Sequence, residues 1–280
     1  MSAFRRGEGW KTIGAGHKPR KWSPENFPCS CHVNDKLIGK EQELVALLAQ
    51  RTRHILSSNL YRDFKLFWQR TLRCRTDQVF DVVVYGIGRF GEFRNAQYQL
   101  VLVLLLMGKL EPEHKLIDVQ NVYFFDPLLS EQESRVLDSF GMKRIEENEE
   151  GKRRVNRLTL FYMPHCGRAL YNNVIWANWD SLENICILGN SFEGYLDRIR
   201  PTKRAHSDRD VETGICIAEA VQAGIVNEFQ FVNDFGVIGA FNDLALHRFK
   251  NFANQTARPA EYIADGTCEA IIPKIKNLVI

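Results

Sequence analysis

The sequence predicts an α/β fold, a Rossmann-like and mostly parallel sheet with helices on both faces, and three observations carry that expectation. Val79-Phe80-Asp81-Val82-Val83-Val84-Tyr85 is a short, largely apolar, β-branched run, as expected of a strand covered on both faces. The glycine turn Gly86-Ile87-Gly88-Arg89-Phe90-Gly91 follows directly, and a helical pattern from about Glu92 to Met107 follows the turn. Downstream, strand-like and helix-like segments alternate at the pitch of a parallel sheet with crossover connections.

Before that first strand, residues 1–35 lack hydrophobic periodicity, and in the first 21 positions Arg5, Arg6, Lys11, Lys18, Arg20 and Lys21 face the single acid Glu8. They are expected to form a disordered basic arm ahead of one Rossmann-like domain over 36–280. His17-Lys18-Pro19-Arg20-Lys21 reads either as a solvated tail or as a nuclear-import or phosphate-contacting patch. From Leu37 to about Arg73, Leu44, Leu47, Leu48, Ile55, Leu60, Phe64, Phe67 and Trp68 recur at helical steps, giving one or two amphipathic helices.

Beyond the glycine turn and its helix, the charged loop Glu111–Lys115 leads to a second strand over Val122–Asp126. Ser130 reads as the N-cap of a helix to Phe140, with Glu133 completing a capping box and Gly141 closing the helix. Met142–Ile145 and Leu158–Met163 are the third and fourth strands, separated by the acidic turn Glu146–Gly151. A helix over Ala169–Ala177 and a strand over Ile185–Leu188 follow. Pro201–Asp208 reads as a polar loop, Val211–Ala223 as a helix and Glu228–Val232 as a strand, whereas Phe241–Phe249 reads as short and mixed.

A formal net charge of +3 is too small to argue for nucleic acid. The longest apolar run, Leu100–Met107, falls far short of the roughly 20 residues of a bilayer span. A soluble intracellular protein is expected, cytoplasmic and also nuclear if the arm serves import. Seven cysteines without repeating spacing do not suggest a disulfide framework. Cys29-Ser30-Cys31-His32 resembles half a zinc site, but no second half appears, so no metal is expected.

The candidate site lies where four strands end. Glycines at Gly86, Gly88 and Gly91 let the backbone turn sharply and approach a ligand, although Arg89 and Phe90 are large for a loop hugging a pyrophosphate. Asp126 suits a ribose-binding acid or an acid ordering the helix entry, but it lies 35 residues past Gly91 rather than about 20. His165 could act as base, donor or ligand, and Cys166 as nucleophile or soft ligand. Asn190 and Ser191 could hydrogen-bond a ligand or cap the next helix. Such a rim admits haem, a nucleotide or S-adenosylmethionine. No Cys-Pro dipeptide, Walker lysine, nucleophile elbow or HExxH motif occurs.

Tyr85-Gly86-Ile87-Gly88, Gln99-Leu100, Asp126-Pro127, Leu160-Phe161-Tyr162-Met163-Pro164-His165-Cys166, Leu170-Tyr171-Asn172-Asn173, Gly189-Asn190-Ser191-Phe192 and Phe241-Asn242-Asp243 together resemble the sensitivity-to-red-light-reduced family. The resemblance spans roughly residues 60 to 250. It implies a eukaryotic regulator associated with circadian-clock input and light signalling, with haem biosynthesis and clock-gene expression, and with microtubule stability. The family has no settled catalytic residues; Gly86, Gly88, Asp126, His165, Cys166, Asn190 and Ser191 are its motif positions.

Three functions follow as expectations: a regulator that binds a small ligand at the sheet rim, a methyltransferase-like or nucleotide-dependent enzyme, and a scaffold that engages protein partners. Topology separates the two enzymatic forms. An antiparallel last strand beside the fifth favours the methyltransferase type, and an all-parallel six-stranded sheet the dinucleotide type.

Overall fold

The computed structural model describes residues 37–72, 78–199, 214–237, 239–250 and 259. The expected basic arm, the Cys29–His32 segment and the Pro201–Asp208 loop lie outside the described residues.

Two helices come first, α1 (Lys40–Ser57) and α2 (Asn59–Thr71), joined at Ser58, whose hydroxyl accepts the Leu60 N–H at 3.2 Å. Their apolar stripes bury Leu48, Ile55, Leu60, Phe64 and Trp68. Strand β1 (Val79–Tyr85) feeds the glycine turn, and α3 (Arg94–Leu106) follows. Every residue of α3 from Ala96 to Leu106 is buried. The long apolar run is therefore a core helix packed on all sides, not a span. Each fully buried leucine in it contributes about 1.5–3 kcal/mol.

Next come β2 (Asp118–Phe125), α4 (Glu131–Ser139), β3 (Lys143–Arg144), β4 (Thr159–Met163), α5 (Arg168–Ala177) and β5 (Ile185–Asn190). The described part closes with α6 (Phe192–Ile199), α7 (Ile215–Gln222), β6 (Val226–Gln230) and β7 (Leu244–Phe249). Among the described residues no helix is long and apolar enough to cross a membrane.

The expected capping box is present at α4: Ser130 accepts the Glu133 N–H, and Glu133 accepts the Ser130 N–H at 2.8 Å. Gly141 closes that helix at φ 72°. Strand β2 begins four residues earlier than the sequence pattern indicated. Its polar start survives at a sheet position because Asp81 of β1 accepts both the backbone N–H and the side-chain amide of Asn121, at 3.2 and 3.0 Å.

The strands form one sheet in the order β3-β2-β1-β4-β5-β7-β6. Strands β1 to β5 run parallel; β7 is antiparallel to both β5 and β6, so β7 alone is reversed. The Rossmann-like, mostly parallel expectation holds. The reading of Phe241–Phe249 as mixed is corrected, because Leu244–Phe249 is a strand paired on both edges and buried except at Arg248. Of the two sheet types set against each other, this is the methyltransferase type.

Two cores cover the sheet, one per face. Helices α1 to α4 pack with Val82, Val84, Leu160 and Leu188, while α5 and α7 pack with Val83, Phe161, Met163 and Ile187. Between β3 and β4, residues 145–158 cross without a regular helix. That segment is pinned from α5. Asn173 donates to the Glu150 carbonyl at 2.9 Å, and Asn178 both donates to the Arg153 carbonyl and accepts the Val155 N–H at 2.9 Å. Arg153 in turn forks onto Glu149 at 2.8 and 2.9 Å.

Candidate functional site at the carboxyl rim of the sheet

The carboxyl ends of β1, β2, β4 and β5 present Gly86, Asp126, His165 and Asn190 to one rim, where open α/β sheets hold ligands. Because β7 is reversed, its amino end arrives at the same rim and brings Asp243. Sequence reasoning quoted Phe241-Asn242-Asp243 only as a motif, since strand direction leaves no local signature.

Two carboxylates hold the glycine turn. Asp126 accepts the Gly88 N–H at 2.6 Å and the Leu128 N–H at 2.8 Å. Burial pushes its carboxyl up, while those two N–H groups pull it back down. Glu133 accepts the Gly91 N–H at 2.7 Å, which joins the turn to the α4 capping box. Gly86 and Gly88 have φ of 66° and 75°, the left-handed region where glycine carries no steric penalty.

The turn after β4 is fixed on several sides. The His165 N–H donates to Asn190 Oδ1 at 2.7 Å, and the Cys166 carbonyl accepts the Tyr195 hydroxyl at 2.7 Å. These contacts hold His165 at φ 58°, unusual for a residue with a Cβ. Asp243 lies at φ 62°, and its carbonyl accepts the Ser191 N–H at 3.0 Å. Burial lowers the His165 pKa, opposed by the carbonyls of Ala240 and Gly239 and by Asp243. Neither carbonyl meets its buried Nε2 at hydrogen-bonding geometry, and that atom has no other hydrogen-bond partner among the described residues. A left-handed backbone and an unsatisfied buried polar atom thus coincide at one rim residue.

Cys166 has a different character. Its Sγ points to the Tyr85 carbonyl at 3.5 Å, and burial raises its pKa far above the ordinary thiol value. It is held as a thiol, which suits neither a nucleophile nor a soft metal ligand.

Tyr171, Asn172 and Asn173 of α5 act as struts. The Tyr171 hydroxyl donates to the Met163 carbonyl and accepts the Asn190 N–H at 2.9 Å, and Asn172 accepts the Cys216 N–H at 2.8 Å. Ser191 caps α6 by accepting the Gly194 N–H at 3.0 Å. Glu228 of β6 reinforces it by accepting from the Ser191 hydroxyl and from the Phe192 N–H at 2.9 Å, with His247 Nε2 at 3.3 Å. Burial resists ionisation of Glu228, yet His247, Ser191 and the Glu193 N–H outweigh it and hold the carboxyl below its ordinary value. Sequence reasoning missed Glu228, which lies 36 residues from the helix it caps.

Fold and rim together define a Rossmann-like α/β protein with a methyltransferase-type strand order and a pre-shaped carboxyl rim. A family model, the SRR1 domain, matches residues 50–248, and the chain belongs to that family. A mouse SRR1-like protein is 44% identical over 120 residues, 42% of this chain and 46% of the relative. The Arabidopsis thaliana Protein SENSITIVITY TO RED LIGHT REDUCED 1 is 32% identical over 175 residues, 61% of this chain and 58% of the relative. A Drosophila melanogaster SRR1-like protein is 28% identical over 170 residues, 60% of this chain and 54% of the relative. The chain thus spans about half the length of the curated relatives it matches.

Among solved structures, the plantazolicin methyltransferase BpumL, in complex with a monoazolic desmethylPZN analog and SAH, overlaps 75% of this chain and 97% of its own. At 12% identity and a TM-score of 0.29 the overlap is too slight to bear on function.

Proposed function

We propose that the chain is the regulatory core of a protein acting in light and circadian-clock signalling and in control of haem biosynthesis, and that a small ligand at the carboxyl rim governs it. The pathway rests on the family, one member of which carries the name SENSITIVITY TO RED LIGHT REDUCED 1. The ligand rests on one observation: His165 holds a left-handed backbone around a buried, unpartnered Nε2 at the rim that Asp126 and Asn190 also face. On this reading the protein works in the cytoplasm and the nucleus, with the basic arm contacting protein partners. A rescue experiment tests it. In cells lacking the protein, the wild-type chain should restore rhythmic reporter expression, and a His165→Ala, Asp126→Ala double variant expressed at equal level should not. Full rescue by the double variant would remove the rim from the function.

A second reading, a methyltransferase-like enzyme, is favoured by the reversed β7 lodged between β5 and β6. Incubation with methyl-labelled S-adenosylmethionine and cell extract would then label an extract component. Tight cofactor binding with no label transferred to any component would count against catalysis.

A further inference from the structure

A pyrophosphate-binding glycine turn offers backbone N–H groups and the positive end of a helix to the phosphates. Two of this turn's N–H groups are committed otherwise. The Gly88 N–H already donates to Asp126 at 2.6 Å, and the Gly91 N–H to Glu133 at 2.7 Å. Arg89, the turn's one cation, is paired with Glu92 at 2.6 Å. Helix α3 begins at Arg94, three residues past the last glycine, and the Phe93 N–H before it donates to the Arg89 carbonyl at 2.9 Å rather than outward. A pyrophosphate here would therefore meet two carboxylates, and among the described residues of the turn it would find no unpaired cation to offset them.

The same groups suit another ligand. A carboxylate offers about four lone-pair sites, so Asp126, after accepting two N–H groups, still has room for two hydroxyl donors such as a ribose diol. Asp243 adds a third carboxyl at the rim. We infer that the rim selects a phosphate-free, ribose-bearing ligand with a positive charge, the chemistry of a sulfonium nucleoside such as S-adenosylmethionine, and rejects nucleotides that carry phosphates. The inference rests on the ligand-binding reading above and narrows it.

Calorimetry on the full chain with S-adenosylmethionine, S-adenosylhomocysteine, adenosine triphosphate, NAD and haem tests it. The sulfonium compound should bind, its neutral thioether product more weakly, and the two phosphate-bearing nucleotides not measurably. Asp126→Asn, checked for an unchanged circular dichroism spectrum and melting temperature, should weaken the sulfonium compound roughly tenfold. Millimolar inorganic pyrophosphate should not displace that compound from the wild-type chain, a readout that needs no variant. Binding of NAD or adenosine triphosphate as tight as that of the sulfonium compound would overturn the inference and leave the ligand-binding reading intact, as would binding of haem alone. If nothing in the panel binds, both fall.

Discussion

The sulfur of Cys166 occupies the space that a side chain on Gly86 would need: a Cβ added to Gly86 would lie 2.5 Å from it. The turn after β1 and the turn after β4 are thus packed against each other through a glycine and a thiol. Gly86→Ala should destabilise by about 1–3 kcal/mol through overpacking, and by about 1–2 kcal/mol more through the left-handed backbone. Cys166→Ala removes the clashing atom, since the Cys166 Cβ stands 4.0 Å away. In a double-mutant cycle read by urea denaturation, Gly86→Ala should cost markedly less in the Cys166→Ala background. Equal costs in both backgrounds would place the penalty in the backbone alone.

Tyr171 links β4 to β5 through one hydroxyl, donating to the Met163 carbonyl and accepting the Asn190 N–H. Both strands end at the rim, so the same hydroxyl sets the spacing between His165 and Asn190. Tyr171→Phe keeps the buried ring but leaves an N–H and a carbonyl unpaired, at a cost of about 1–3 kcal/mol. A lower denaturation midpoint with an unchanged m-value is the expected result.

Glu228 gives the acid limb of stability a specific origin. Its folded pKa lies below the ordinary 4.5, so the unfolded chain takes up the proton first as pH falls. The carboxylate's contribution is therefore complete above that ordinary value and is lost as pH drops through the folded one. Glu228→Gln should lower stability at pH 7 and flatten its decline below about pH 4.5. Unfolding free energies from pH 7 to pH 3 on both proteins check this, and parallel curves would mean that Glu228 is uninvolved.

Features with short-range causes were legible in the sequence. The β-branched run of β1, the Ser130–Glu133 capping box and the Gly141 stop each depend on neighbours a few residues away. Leu244-Ala245-Leu246-His247-Arg248-Phe249 was not, because it lacks β-branched residues and carries two basic ones. It is a strand because β5 and β6 pair with it on either side, a tertiary context that overrides propensity. At the site, Asp126, His165 and Asn190 were visible as strand-end residues. Their partners were not: Asp126 meets Gly88 across 38 positions, and Glu228 meets Ser191 across 37. Asp243 reaches the rim only because its strand is reversed.

Glu133 does two tasks with one carboxylate, and two variants separate them. Its Oε2 accepts from the Ser130 N–H and hydroxyl, at 2.8 and 2.7 Å, and its Oε1 accepts from the Gly91 N–H at 2.7 Å. Ser130→Ala removes only part of the cap and should cost about 1 kcal/mol. Glu133→Ala keeps the Ser130 hydroxyl on the backbone N–H of position 133 but removes the other half of the capping box together with the anchor of the glycine turn, and should cost more. Amide hydrogen exchange distinguishes the two directly. Gly91 should exchange faster in Glu133→Ala and stay protected in Ser130→Ala, because Glu133 still reaches it there. Equal exchange at Gly91 in both variants would mean that the α4 cap and the turn are independent, and that Asp126 alone holds the turn in place.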